Sequence, residues 1–185
     1  MALTKTPVCD FGKKAEDFKL KSINNNVVTF DDIKGEKATL IMFICNHCPY
    51  VKAIIKDLAK DCNELKKEGI NSVAIMSNDT KNYPEDSFEN MIKFADKNNF
   101  GNINYLLDET QEIAKKYGAV CTPDFFGYNE NLELQYRGRF RELKDLKPIN
   151  NGESDLKVAM KMIAQTHKGP DQQIPSMGCN IKWFN

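Results

Sequence analysis

The chain has no surplus of charge of either sign. Lys plus Arg and Asp plus Glu both number 26, so the formal net charge is zero. That leaves no electrostatic argument for a nucleic-acid partner or an anionic membrane surface. No apolar run approaches the ~20 residues a membrane-spanning helix needs. The opening Met1-Ala2-Leu3-Thr4-Lys5-Thr6-Pro7-Val8-Cys9 lacks the apolar core of a secretion signal. A cytoplasmic location is therefore expected if the chain is a full precursor. Internal repeats, low-complexity segments and linkers are missing too. With 185 residues and a hydrophobic fraction of 41%, one domain with one sizeable core is expected across residues 1–185. There is only one Cys-x-x-Cys, whereas structural zinc wants four ligands. The six cysteines, Cys9, Cys45, Cys48, Cys62, Cys121 and Cys179, sit in too large a chain to read as a disulfide scaffold. Mostly free thiols and one redox pair are expected.

What is present is an apolar run, Thr39 to Ile44, that ends abruptly in Cys45-Asn46-His47-Cys48-Pro49. Val51, Ile54, Ile55, Leu58, Ala59, Cys62 and Leu65 then recur every three or four residues, which is one face of an amphipathic helix. Proline is tolerated in a helix only in its first turn, so Pro49 predicts a helix start near Asn46. Both thiols then lie at a helix N-terminus, whose partial positive charge favours the reactive thiolate. A Cys-x-x-Cys between a strand and a helix reads as a redox motif of thioredoxin type. The competing readings are a pair of core cysteines or half of a zinc site.

Residues 1–14 read as an irregular lead-in. Glu16–Lys21 alternates charged and apolar residues, and Val27–Phe30 answers it across Asn24-Asn25-Asn26, which predicts an N-terminal β-hairpin. The pattern then predicts strands at 38–44 and 70–76, with the Cys-x-x-Cys helix between them ending near Lys67. A helix capped by Asp86 or Ser87 follows, then a short strand at 105–107 and a helix over 109–117. A hairpin at 121–138 and a helix over 154–167 come next, and residues 168–185 are left as a C-terminal tail. This order implies an α/β, thioredoxin-like fold: a mixed sheet flanked by helices on both faces.

Three segments together, Phe43 to Lys52, Cys121-Thr122-Pro123-Asp124-Phe125-Phe126 and Gly178-Cys179-Asn180-Ile181-Lys182-Trp183, resemble peroxiredoxin-like thioredoxin-family proteins. These belong to the alkyl hydroperoxide reductase and thiol-specific antioxidant superfamily. The resemblance runs over nearly the whole chain and implies a thiol–disulfide oxidoreductase or antioxidant protein. Two departures stand out. Ile44 occupies the place of the tryptophan that usually precedes the first cysteine of thioredoxins. Peroxiredoxins carry a threonine three residues and a proline seven residues before the peroxidatic cysteine; here Met42 and Ala38 precede Cys45, and Cys45 and Ile41 precede Cys48. Weak peroxidase activity is therefore expected.

The resemblance also assigns roles. Pro123 matches the cis-proline that faces the Cys-x-x-Cys, which would leave the Thr122 backbone free to pair with an extended substrate. His47, between the cysteines, resembles the histidine of the oxidising disulfide catalyst of the bacterial periplasm; it either stabilises a thiolate or faces solvent at a helix end. Arg137, Arg139 and Arg141 either bring a guanidinium to the thiols, as in peroxiredoxins, or keep a strand edge soluble, the reading taken here. Cys179 either resolves a disulfide or anchors the tail, with the anchor preferred. Cys62 reads as core, Cys9 as incidental and His167 as a solvated helix end. Cys45 is expected to be the exposed nucleophile and the more buried Cys48 its resolving thiol.

The expected function is thiol–disulfide exchange through Cys45 and Cys48, with His47, Pro49, Thr122 and Pro123 in support and no cofactor beyond the disulfide itself. The partners are protein or small-molecule thiols and disulfides, with peroxides as a further substrate class. The alternatives are a thiol peroxidase and a non-catalytic module, either structural or binding zinc through Cys45 and Cys48 with His47, Cys121 or Cys179.

Overall fold

Alternation along the buried strands decides where the core lies. The computed structural model describes residues 3–184; Met1 and Ala2 of the lead-in and Asn185 of the tail lie outside the described residues. The elements in chain order are β1 (Leu3–Lys5), β2 (Lys19–Ser22), β3 (Val27–Thr29), α1 (Phe30–Ile33), β4 (Ala38–Phe43), α2 (Pro49–Lys66) and β5 (Ile70–Met76). A short 3-10 turn at Pro84–Asp86 leads into α3 (Phe88–Lys97), β6 (Asn104–Leu107), α4 (Glu112–Tyr117), β7 (Cys121–Thr122) and β8 (Asp124–Asn129). The chain ends with β9 (Leu134–Tyr136), a small hairpin of β10 (Leu143–Lys144) and β11 (Lys147–Pro148), α5 (Asp155–Thr166) and β12 (Met177–Asn180).

Seven strands form one mixed sheet in the order β3-β2-β6-β5-β4-β8-β9. β4, β5 and β6 run parallel, while β8 returns antiparallel beside β4. Every residue of β4 is buried, as expected of a strand covered on both faces. Leu40 and Met42 point to one side, where α2, α3 and α5 contribute Leu58, Met91 and Ile163. Ile41 and Phe43 point to the other, against Ile33 of α1 and Tyr117 of α4. Each such large side chain contributes roughly 1.5–3 kcal/mol by leaving water. The expected thioredoxin-like sheet, with its N-terminal hairpin and helices on both faces, is what forms.

Three expectations need correction. The Cys-x-x-Cys helix begins at Pro49 rather than near Asn46, with Cys48 in extended conformation as its N-cap. The helix expected over 109–117 begins only at Glu112, because Gln111 takes a left-handed conformation with φ 63°. The lead-in and tail are not both irregular: β1, β12 and β7 form a second, three-stranded antiparallel sheet. Gly178 permits that pairing. A Cβ there would collide with the Thr122 carbonyl oxygen, so only glycine lets β12 approach so closely.

Candidate active site

Three elements converge on the thiols. β4 delivers Cys45 and the N-terminus of α2 holds Cys48, while the cis Thr122–Pro123 bond at the end of β7 faces both. Cys45 Sγ lies 3.4 Å from Thr122 Oγ1. Cys48 Sγ lies 3.2 Å from the Thr122 carbonyl oxygen, to which its thiol donates, and 3.2 Å from Cys179 Sγ. The expected contrast between an exposed Cys45 and a buried Cys48 is absent, since the two are 1% and 0% exposed. Thr122 lies against both sulfurs, and Cys179 of β12 adds to the cover over Cys48.

The charge preference also reverses the expectation. The Cys48 thiol is pulled down to about 5, foremost because the Cys45 thiol donates to its sulfur. The Val51 N–H, which points at that sulfur without closing a full capping bond, and Cys179 add to this against the opposing effect of burial. Cys45 is pushed well up by that same donation, by burial and by the Asp86 carboxylate. The lowered Cys48 thiol sits at the helix N-cap, where the partial positive charge is concentrated.

Asp86 organises the loop between the cysteines, a role its sequence position did not reveal. Its buried carboxylate accepts from the backbone N–H of Asn46 at 2.8 Å and of His47 at 3.3 Å, and from Asn78 Nδ2 at 2.8 Å. Its fourth partner is His47 Nδ1, at 2.7 Å. Burial pushes the Asp86 carboxyl up, but the bonds from His47 and Asn78 outweigh it and leave it low. The bond to Asp86 in turn raises His47. So His47 is only partly exposed and touches no sulfur: it pairs with Asp86 and stacks on Tyr83, ring centroids 5.6 Å apart. Asn46 is held by Tyr105 Oη, which donates to Asn46 Oδ1 at 2.9 Å.

Thr122 is at the site, but its strand edge is not free. Thr122 pairs with Cys179 and Cys121 with Asn180 across β12, which corrects the expected open edge. Pro49 is the first residue of α2. Arg137 is neither at the thiols nor on an exposed edge: its guanidinium pairs with buried Asp124 at 3.0 Å and covers the Phe126 ring. Arg139 binds Asp155 at 2.6 Å and Arg141 lies 3.8 Å from Asp57. Arg139, Arg141, Lys5, Tyr50 and Pro123 line a groove of about 480 Å³ beside the site. Burial pushes up the thiols of Cys121, of Cys62 (to about 12) and of Cys9 (to about 11), and none of the three lies against the Cys45–Cys48 sulfurs in a hydrogen bond. His167 caps the end of α5 and is more than half exposed.

Cys45, His47 and Asp86 place ligand atoms within 4.8 Å of one another. Asp86 already accepts four hydrogen bonds and Cys45 faces Thr122, so a metal ion there would have to displace existing partners. Among the described residues, no helix is long and apolar enough to cross a membrane.

A dithiol at a helix N-terminus, facing a cis-proline at the end of a mixed sheet, defines a thioredoxin-fold thiol protein. Residues 11–141 match the AhpC/TSA family, and the chain belongs to that family. A search of the curated proteins finds no match. Among solved structures, an uncharacterized conserved protein from Geobacillus kaustophilus is 41% identical, with a TM-score of 0.89 and coverage of 100% of this chain and 97% of that one. A hypothetical protein from Sinorhizobium meliloti 1021 is 36% identical with a TM-score of 0.90, covering 98% of each chain. The thioredoxin domain of a thiol-disulfide oxidoreductase from Bacteroides vulgatus shares the fold at 18% identity and a TM-score of 0.58, over 71% of this chain and 89% of that one.

Proposed function

We propose that this protein is a thiol–disulfide oxidoreductase with an antioxidant role, in which Cys48 is the attacking thiolate and Cys45 a resolving thiol. The observation that carries this reading is the Cys48 sulfur: it occupies the N-cap of α2 with its thiol lowered to about 5 by a neighbouring thiol. A stabilised thiolate favours the reduced form, so the corresponding disulfide is comparatively oxidising. Thr122 and Pro123 position the sulfurs, Pro49 fixes the start of α2, and the His47–Asp86 pair holds the loop between the cysteines. The partners are thiols and disulfides, of proteins or small molecules, met in the cytoplasm, with no cofactor beyond the disulfide.

Peroxide reduction is the slower activity in this reading, because the guanidinium groups of Arg137 and Arg139 are committed to Asp124 and Asp155. The test is equilibration in glutathione redox buffers with acid quenching, together with metal analysis of the reduced protein. A Cys45–Cys48 disulfide with a defined potential and no stoichiometric zinc is expected. One tightly held zinc per chain, or failure to form any disulfide, would overturn the reading.

A further inference from the structure

Cys48 has two sulfur neighbours rather than one. The Cys45 thiol donates to it from within the Cys-x-x-Cys, and Cys179 Sγ stands 3.2 Å away on β12. That contact is the approach a sulfur makes before attacking a neighbouring sulfur in thiol–disulfide exchange. Cys179 reaches that position by strand pairing. β12 runs antiparallel along Cys121–Thr122, the edge an extended client would use in strand addition. Beyond β12, Lys182 N–H donates to Asn78 Oδ1 at 2.9 Å, and Gln111 Nε2 donates to the Lys182 carbonyl at 2.8 Å. Before it, Ser176 Oγ donates to the Pro123 carbonyl at 2.7 Å. With β12 in place Cys48 is fully buried, so no client disulfide reaches it until the strand lifts.

We propose, building on the dithiol reading above, that the tail strand is an internal stand-in for a client and that Cys179 is a second resolving thiol, returned to Cys48 when β12 docks. In the first step the Cys48 thiolate attacks a client disulfide. One client sulfur leaves as a thiolate and the other stays bonded to Cys48. β12 then competes with the bound client for the Thr122 edge. As it pairs, the Cys179 sulfur attacks the Cys48 sulfur, the bond from Cys48 to the client breaks, and the departing client sulfur takes the Cys179 proton. The client disulfide is reduced by two electrons and Cys48–Cys179 becomes the disulfide. Attack by the Cys45 thiol on Cys48 then moves the bond to Cys45–Cys48 with no net oxidation, its proton passing to Cys179. Burial first, and then the neighbouring Cys48 sulfur, raise the Cys179 thiol in the reduced protein; the second of these is gone once Cys48 is in a disulfide, which eases the attack by Cys179.

The experiment uses oxidised glutathione as the probe on wild type, Cys45→Ser, Cys179→Ser and the double variant, with acid quenching and non-reducing peptide mapping. Cys45→Ser should hold a Cys48–Cys179 disulfide, and Cys179→Ser a Cys45–Cys48 disulfide. The double variant should stall with glutathione on Cys48, at roughly ten times the level in either single variant. Accumulation of glutathione on Cys48 in folded Cys45→Ser, with Cys179 still free, would overturn the proposal while leaving the dithiol reading intact. Should Cys45→Ser fail to fold, a quenched time course of wild type decides: a Cys48–Cys179 peptide that rises before Cys45–Cys48 supports the proposal, and Cys45–Cys48 forming with no earlier Cys48–Cys179 overturns it. Oxidised wild type with neither disulfide would remove the dithiol reading, and the proposal with it.

Discussion

At the scale of single residues, two neighbours separate the otherwise similar cysteines. Cys48 caps a helix and receives a hydrogen bond from Cys45; Cys45 faces the Asp86 carboxylate. Replacing Cys45 with serine substitutes a hydroxyl for that donor. The alkylation of Cys48 by iodoacetamide, followed across pH by mass spectrometry, should then shift to a different midpoint while the helix-end contribution remains. An unchanged profile would mean that α2 alone sets the acidity. Asp86 acts on the loop rather than on the sulfurs. Its depressed carboxyl contributes stability above the usual aspartate range, lost as pH falls through its folded value. The raised His47 contributes stability below its usual 6.5, lost as pH rises through its folded value. Their pairing therefore matters most between those limits. Asp86→Asn should cost about 1–3 kcal/mol near pH 6, a range kept modest because His47 is partly solvated. In urea titrations at successive pH values the gap from wild type should narrow as His47 loses its proton. A gap that widens with rising pH would contradict the pairing.

At the scale of elements, the tail strand depends on one hydrogen atom where other residues carry a side chain. Gly178→Ala forces a Cβ against the Thr122 carbonyl oxygen, an overpacking worth roughly 1–3 kcal/mol. Since ~1.4 kcal/mol is a factor of ten in an equilibrium, Cys48 should become about ten times more reactive toward iodoacetamide. Equal rates in variant and wild type would show that β12 does not guard the thiol. This element was also the hardest to read from sequence. The run Thr39 to Ile44 announces a buried strand because every residue is apolar or small, and the following helix declares itself by its period. Met177-Gly178-Cys179-Asn180 has neither alternation nor β-branched residues; its strand character comes entirely from docking on β7 and β1. Asp86 was hidden differently. Ahead of a helix it looked like a cap, but Ser87 takes that place by accepting from the Asn90 N–H, and Asp86 turns back to a loop forty residues earlier in the chain. The Cys-x-x-Cys was legible as chemistry, yet the burial of its two thiols was not, because Cys45 lies against Thr122 and Cys48 against Cys179, both far along the chain.

At the scale of the whole molecule, the seven-stranded sheet and its two flanking cores do not need the tail to pair, but the tail needs them. Cys179 adds to the core on the α2 side and Ile181 to the core on the α4 side. Beyond these two, the tail meets the body through β7 and β1, the Ser176 bond to the Pro123 carbonyl, the Lys182 N–H bond to Asn78 Oδ1, and the bonds that Gln111 Nε2 and the Asp79 N–H donate to the Lys182 carbonyl. Terminal segments held by short edge pairings open at lower free energy than the core strands. Trp183 is the only tryptophan and lies just beyond β12, with Lys115 of α4 5.8 Å from its ring, so it reports on the tail alone. In the reduced protein, tryptophan fluorescence excited selectively should change at lower urea concentration than the far-ultraviolet circular dichroism of the sheet and helices. Non-coincident transitions are the accepted sign of a step that is not all-or-none. A cross-link between the tail and α2 should close that gap, because it removes the freedom the tail gains on opening. Oxidised Cys45→Ser provides such a link if Cys48 bonds to Cys179. Coincident transitions in the reduced wild type would mean that the tail belongs to the same cooperative unit as the sheet, and that clients reach Cys48 by some opening other than the release of β12.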